Sequence, residues 1–275
     1  MPYAIQIQRN GGPEVMQVVD ENEKSPLDDE VLIAQTAVGL NFIDVYHRTG
    51  LYPLPLPSGI GLEAAGSILK VGRNVTDFCV GDRVAYAGGG VGAYTDSRVI
   101  SANAIVKIPE QISDKDAAAL MLKGFTASYL LHRTYNVKKG DIVLFHAIAG
   151  GVGLVACQIL KQIGAIVIGT VGSEEKAHIA RQYGCDHTVI YSKESFKNVV
   201  MDVTDGKGVP IGYDSVGAST FNESLDCISK FGTFVSFGNS SGPLQPFEPG
   251  LLSQKGSIFF TRPTLMTHIE TPDLI

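Results

Sequence analysis

Residues 142–153 read Ile-Val-Leu-Phe-His-Ala-Ile-Ala-Gly-Gly-Val-Gly, and the organisation of the chain follows from this stretch. The unbroken apolar run Ile142–Phe145 reads as a strand, and the apolar segment Gly151–Ile163 behind the turn reads as a helix. Gly150, Gly151 and Gly153 remove Cβ atoms at the point where a helix presents its first N–H groups, and such a start attracts phosphate. Tight turns use glycine for steric reasons as well. What favours a dinucleotide here is that the turn opens a long strand–helix series.

That series continues with IVIGTV at Ile166, a helix over Glu174–Tyr183, TVI at Thr188 and a helix over Ser195–Thr204. IGYD at Ile211, a helix near Asn222–Ile228, TFVSF at Thr233 and SIFF over Ser257–Phe260 complete it. The alternation predicts a parallel sheet with helices on both faces, and Gly164 and Gly184 stand where helices commonly end. Before it, Tyr3–Ile108 holds short β-rich runs divided by glycine and proline, such as Glu30–Leu40 and Asp82–Ala87. Two helical segments are expected between Ser113 and Tyr135, with the domain change near Lys123 and Gly124. The expected organisation is a mostly-β domain over 1–123, a parallel α/β domain over 124–265 and the start of a further segment over 266–275.

A length of 275 residues admits two domains, and 44% hydrophobic with 18% charged residues describes a folded soluble chain. The net charge of -6 lacks the basic footprint of a nucleic-acid binder, which leaves small molecules as the expected partners. Cys79, Cys157, Cys185 and Cys227 form no CxxC pair, so neither a zinc knuckle nor a disulfide framework is indicated. The first ten residues lack the features of a signal peptide, and Val143–Leu160 is too interrupted to cross a membrane; a cytoplasmic location is expected.

The second strand ends in Gly169-Thr170-Val171-Gly172-Ser173, without the carboxylate that reads an NAD ribose. Glu174 and Glu175 follow Ser173, a plausible helix N-cap, and complement the helix dipole. Lys176 and Tyr191 are placed to reach a 2′-phosphate, so NADPH is expected over NADH. The plainer reading of Lys176 is a solvated helix lysine.

Taken in order, the residues resemble the quinone oxidoreductase, or zeta-crystallin, branch of the medium-chain dehydrogenase/reductase superfamily. The resemblance runs through Asn41-Phe42-Ile43-Asp44 with Arg48, Gly50, Tyr52 and Pro53, then Gly59–Gly66, Val71-Gly72 and Gly81–Val84. It continues through Ala149–Gly153 with Gln158 and Lys161, Tyr213–Gly217, Phe237–Gly242 and Thr261-Arg262-Pro263. It implies a GroES-like, mostly-β catalytic domain followed by a Rossmann doubly wound parallel-sheet domain, with substrate in the cleft between them. It further implies cofactor contacts at Asn41, Tyr129, Gly150, Gly151, Val152, Gly153, Gly172, Ser173, Lys176, Tyr191, Phe237, Gly238, Asn239, Ser240, Thr261 and Arg262. A quinone pocket maps onto Asn41, Tyr46, Tyr52 and Tyr129. Ile148 departs from the family, which has a small residue there, and is expected to narrow the turn.

Zinc-dependent members of the superfamily carry a cysteine near the position of Asn41 and a histidine in a Gly-His-Glu segment. Here the segment is Gly61-Leu62-Glu63, leucine ligates no metal, and no metal site is expected. The acceptor that the resemblance implies, a small quinone or related conjugated carbonyl compound, takes electrons without a Lewis acid. Tyr46 or Tyr52 would bond its oxygen or pass a proton and Asn41 would orient it; as plain packing residues the tyrosines would do neither. Asp44 and Arg48, four apart, read as an intrahelical ion pair. Gly238-Asn239-Ser240-Ser241-Gly242 fits G-x-S-x-G, but Pro243 and Pro246 forbid the helix a nucleophile elbow needs. Two other functions stay open: reduction of the double bond of an enal or enone, and a non-catalytic NADPH-binding role, structural or RNA-associated. The last residues, Thr271–Ile275, read as the opening of a helix, so continuation past Ile275 is expected, and an apolar edge strand at Ser257–Phe260 is expected to pair two subunits into a homodimer.

Overall fold

The computed structural model describes residues 2–22 and 24–270. The chain divides into two packed units: one runs to Leu122 and is rejoined at His268, the other holds Lys123–Thr267.

In the first unit, β1 (Tyr3–Ile7) pairs antiparallel with β2 (Met16–Asp20). β3 (Glu30–Gly39) leads to helix α1 (Phe42–Thr49), which ends at Gly50 with φ +82°, a left-handed conformation that favours glycine. β4 (Ser58–Gly59) joins the other side of β1. β5 (Glu63–Val71), β6 (Arg83–Ala87), β7 (Ser97–Ser101) and β8 (Val106–Lys107) build with β3 a five-stranded antiparallel sheet in the order β7-β3-β5-β6-β8. Period two sorts its residues. Ala64, Val84 and Tyr86 join Val31, Ile33, Ile68 and Ile100 in one core, whereas Ala65 and Ala85 turn to Ala117 and Ala118 of helix α2 (Asp114–Tyr129). Alanine on that side lets the helix lie close to the sheet.

α2 carries the chain into the second unit. Where the sequence predicts two helical segments, one α-helix runs on into a widened helical turn, Leu130–Thr134. No proline or capping residue separates them, and the buried side chains of Leu130 and Leu131 hold the wide turn against the unit. The Tyr213 hydroxyl donates to the Leu130 carbonyl at 2.9 Å.

The second unit alternates strand and helix: β9 (Ile142–Phe145), α3 (Gly151–Ile163), β10 (Ile166–Val171), α4 (Glu174–Gln182) and β11 (His187–Ile190). α5 (Phe196–Val203), β12 (Val209–Asp214), α6 (Phe221–Cys227), β13 (Ile228–Ser236), α7 (Gly250–Gln254), β14 (Phe259–Thr261) and α8 (Leu265–His268) follow. The six strands pair in parallel in the order β11-β10-β9-β12-β13-β14, so the direction of strand succession reverses beside β9. This is a GroES-like β unit followed by a Rossmann unit. On one face of the sheet Leu144, Ile168, Val189, Phe196, Val200, Phe221 and Phe234 form a single core. Burying such apolar side chains contributes roughly 1.5–3 kcal/mol each.

The last strand begins two residues later than its sequence pattern predicts. Gly256 and Ser257 take φ +112° and +58°, closing a turn before Phe259 can enter the sheet. The expected helix opening at 271–275 lies outside the described residues.

Candidate active site

Because every strand of the second unit points the same way, the segments after their C-terminal ends gather along one edge, where open α/β sheets bind ligands. The glycine turn follows β9, Gly172 and Ser173 follow β10, and Tyr191 follows β11. Phe237–Ser240 follows β13 and Arg262 follows β14. The predicted cofactor residues of the unit therefore share an edge, with Tyr129 buried at the end of α2.

At the start of α3, Gly150 is the N-cap, in extended geometry and without a side-chain cap. The N–H groups of Gly151, Val152 and Gly153 consequently lack an intrahelical acceptor, and the positive end of the helix dipole adds to them. A Cβ on Gly153 would stand 2.4 Å from the Ile148 carbonyl oxygen and 2.6 Å from that of Ala147, so this glycine is required by close packing. Gly172 has nothing within 4 Å of its Cβ direction, which leaves the tip of β10 open. Ile148, expected to narrow the turn, does not: it is buried beneath the turn, and the absence of a side chain on Gly169 makes room for it, since a Cβ there would meet Ile148 Cγ2 at 2.4 Å.

The turn is held from below by a buried polar network. His146 is fully buried, with Nδ1 2.9 Å from Thr170 Oγ1 and Nε2 2.8 Å from Ser224 Oγ. Thr170 Oγ1 also accepts the N–H of Ala147 at 3.3 Å, and Ala147 sits at φ +53°. Burial pushes the His146 pKa below its ordinary 6.5, and the charges of Asp214 and Glu223 oppose this only in part. The imidazole is a neutral structural strut between Thr170 and Ser224.

Asp214, buried at the end of β12, accepts the N–H groups of Val216 at 2.6 Å and Gly217 at 3.0 Å and the Thr220 hydroxyl at 2.7 Å. It fixes the loop against which the next one lies: Phe237 N donates to Asp214 O and Ser240 N to Ser215 O. Arg262 Nη1 reaches the Gly238 carbonyl and Ser236 Oγ, both at 3.3 Å, which binds the β14 end to this group. Gly238-Asn239-Ser240-Ser241-Gly242 stays a loop, with no helix until Gly250.

Lys176 and Tyr191 stand at the neighbouring tips of β10 and β11. Lys176 is exposed in the first turn of α4, its N–H on Ser173 Oγ at 3.3 Å. The Tyr191 hydroxyl lies 2.7 Å from Thr170 Oγ1 and its ring stacks on His146. Lys193, which sequence reading passed over, pairs with Glu174 at 2.5 Å across the same tips, and that ammonium holds the Glu174 carboxyl below its ordinary range.

In the first unit Asn41 caps α1 and is buried. Its N–H donates to Asp44 Oδ2 at 2.9 Å, and Nδ2 donates to Glu63 Oε2 at 2.7 Å. Glu63, entirely buried, also accepts the Leu122 N–H at 2.6 Å. Sequence reading missed Glu63 as a positioning group, because a lone acid in a strand carries no signal of its own. Tyr46 and Tyr52 pack ring to ring at 5.0 Å beside Asn41's helix, Tyr46 buried and Tyr52 half-buried. The i, i+4 spacing predicts an Asp44–Arg48 pair; instead Asp44 Oδ2 takes the Tyr94 hydroxyl at 2.8 Å, and Arg48 Nε turns to the Gly11 carbonyl at 3.3 Å. Leu62 is buried in the core. Among the described residues no group of three or more His, Cys, Asp or Glu is placed to hold a metal ion.

Comparison with known proteins agrees with this arrangement. Residues 27–110 match the alcohol dehydrogenase GroES-like domain, and residues 151–270 match the domain described as zinc-binding dehydrogenase. A quinone oxidoreductase of Pseudomonas aeruginosa is 51% identical over 99% of this chain and 84% of its own length. The chain belongs to the quinone oxidoreductase family. Also in reach is the 2-haloacrylate reductase of a Burkholderia species, 44% identical over 98% of this chain and 83% of its own. The crystal structure of Escherichia coli quinone oxidoreductase complexed with NADPH superposes with a TM-score of 0.97 at 46% identity, covering 99% of this chain and 84% of that one.

Burial of His146 and His47 makes folding stability depend on pH. Both are held below the ordinary value of 6.5 by burial, so the unfolded chain binds their protons more readily. Stability is complete above pH 6.5 and falls as pH drops through the lowered folded values, by about 1.4 kcal/mol per pH unit per histidine at the steepest. Urea midpoints measured between pH 7.5 and 5 will decrease, and His146→Gln will flatten the decrease; a midpoint that rises on acidification contradicts this.

Proposed function

We propose that this chain is a reductase that draws on NADPH to reduce small quinones and uses no metal. The observation that carries the reading is the uncapped N-terminus of α3 behind a glycine turn, next to a β10 tip that is open and bears no carboxylate directly after the strand. The residues fit the group. The three bare N–H groups of Gly151, Val152 and Gly153 would take the pyrophosphate, while Gly172, Ser173, Lys176 and Tyr191 would take the adenosine ribose and its 2′-phosphate. Phe237, Gly238, Asn239, Ser240, Thr261, Arg262 and Tyr129 would hold the nicotinamide half. NADPH, when bound, supplies the reducing equivalents.

What the protein's own residues do is align and enclose. Asn41, with its amide turned by Glu63, offers an oriented polar group to the substrate or the ribose. Tyr46 and Tyr52 offer an aromatic wall with hydroxyls able to donate to a carbonyl oxygen. With Asn41 and Leu62 where zinc-dependent members carry ligands, neither role calls for a metal. Residues 1–123 serve as the catalytic domain and 124–265 as the cofactor domain. β14 lies at the edge of its sheet with Phe259 exposed, which supports a homodimer paired through that strand. No described helix is long and apolar enough to cross a membrane, and the cytoplasm is the proposed location.

The similarity to 2-haloacrylate reductase favours a second reading, in which the same site reduces a conjugated carbon–carbon double bond. Oxidation of NADPH followed with ortho- and para-quinones beside simple enals and enones separates the two; inactivity on all of them defeats both.

Two outcomes follow for the cofactor and the metal. Lys176→Glu weakens NADPH by about tenfold or more, the loss of a charge-assisted contact to phosphate, and leaves NADH within about twofold. Equal losses for both cofactors contradict the assignment. Metal analysis finds no stoichiometric zinc, and a chelator leaves quinone turnover unchanged; bound zinc whose removal abolishes turnover contradicts the metal-free reading.

A further inference from the structure

Between the starts of α5 and α6 lies a pocket of about 660 Å³, within the range of small-molecule sites. Tyr191, Ser195 and Phe196 line one side, and Val216, Thr220 and Glu223 the other. Tyr191, Phe196 and Val216 give it apolar surface between serine, threonine and lysine side chains, and its lining acids are Glu194 and Glu223. Glu194 belongs to the exposed segment that joins β11 to α5. Glu223 is half-buried and fixed. Its Oε1 accepts the Ser195 hydroxyl at 2.6 Å and the Lys197 N–H at 3.4 Å, while Oε2 has no protein partner among the described residues. Ser195 is itself fixed as the N-cap of α5, its Oγ taking the Asn198 N–H at 3.3 Å. An ionised carboxylate only accepts hydrogen bonds. The pocket thus presents an oriented acceptor, Glu223, beside the apolar surfaces of Tyr191, Phe196 and Val216.

A dinucleotide whose pyrophosphate rests on α3 sends its adenosine half toward the tips of the second and third strands, here β10 and β11. This pocket opens beside Tyr191, the first residue after β11. We infer that Glu223 is the residue that reads the base of the cofactor, its Oε2 accepting from the exocyclic 6-amino group of adenine. The inference rests on the dinucleotide reading above and adds a specificity determinant to it. A base with a carbonyl at position 6 brings an acceptor to an acceptor, leaving the carboxylate unpaired and in electrostatic conflict. Tyr191 and Val216 would then serve as apolar faces for the ring, and Ser195 would act as a positioning residue through Glu223.

The test compares NADPH with reduced nicotinamide hypoxanthine dinucleotide phosphate, in which that amino group is a carbonyl, by fluorescence titration of the unmodified protein and of Glu223→Gln. A hydrogen bond to a charged group is worth about tenfold to a hundredfold in Kd, so the unmodified protein is expected to favour NADPH by at least about tenfold. Glu223→Gln keeps the shape and the Ser195 contact but can donate as well as accept, so the preference falls to within about threefold. Glu223→Ala gives the same collapse, and circular dichroism confirms that both variants fold. Equal binding of the two cofactors by the unmodified protein, or an undiminished preference in Glu223→Gln, overturns the assignment to Glu223 while leaving NADPH binding intact. Failure of either cofactor to bind the unmodified protein overturns the dinucleotide reading itself, and this inference with it.

Discussion

The turn between β9 and α3 meets two demands that pull against each other: its helix N–H groups must stay bare for a ligand, yet its backbone must not move. Capping the helix with its own side chain would stabilise it by about 1 kcal/mol and close the anion site. The fold leaves Gly150 uncapped and anchors the turn from the opposite side, through the Ala147 N–H on Thr170 Oγ1 and the Ile148 N–H on the Thr170 carbonyl. Thr170 is on β10 and His146 at the end of β9, so the site is pinned by the pairing of two central strands. The same strand directions bring the loops after β12, β13 and β14 to the same edge, where Asp214 and Arg262 join them. Loss of the parallel register would scatter every one of these groups.

The fold is legible where local chemistry and packing agree. The apolar run and the glycines at 150, 151, 153 and 164 predict α3 with the bounds it has, Gly151–Ile163, because both ends are written in glycine. The strand–helix series and the irregular β unit follow from the same kind of signal. The junction at Leu130–Thr134 is not legible: nothing in its composition distinguishes a widened turn from a break, and tertiary burial decides. Ser257 delays β14 for a comparable reason, since a left-handed serine has no sequence signature.

The candidate site is legible in its glycines, in the missing carboxylate after β10 and, through resemblance, in Asn41 and the tyrosines. What escapes is the second layer. Glu63 matters because the fold folds a strand acid back under Asn41, and Lys193 because two strand tips meet. Ile148 looks obstructive in sequence only because its room is supplied twenty-one residues later, by Gly169. Pairings across such separations are set by the sheet order, and no local pattern encodes them.

If the uncapped start of α3 holds a reducing dinucleotide, then a single turnover reports it directly. The purified chain is mixed with one equivalent of NADPH, the bound nicotinamide fluorescence is recorded, and a para-quinone is added in a stopped-flow instrument with chelator present throughout. The account predicts saturable fluorescence that disappears stoichiometrically on quinone addition in the unmodified protein. In Gly153→Val, whose side chain would drive into the Ile148 and Ala147 carbonyls, it predicts neither signal. Stoichiometric NADPH oxidation by Gly153→Val at the unmodified rate, or bound NADPH in the unmodified protein that no quinone or enone oxidises, would contradict it.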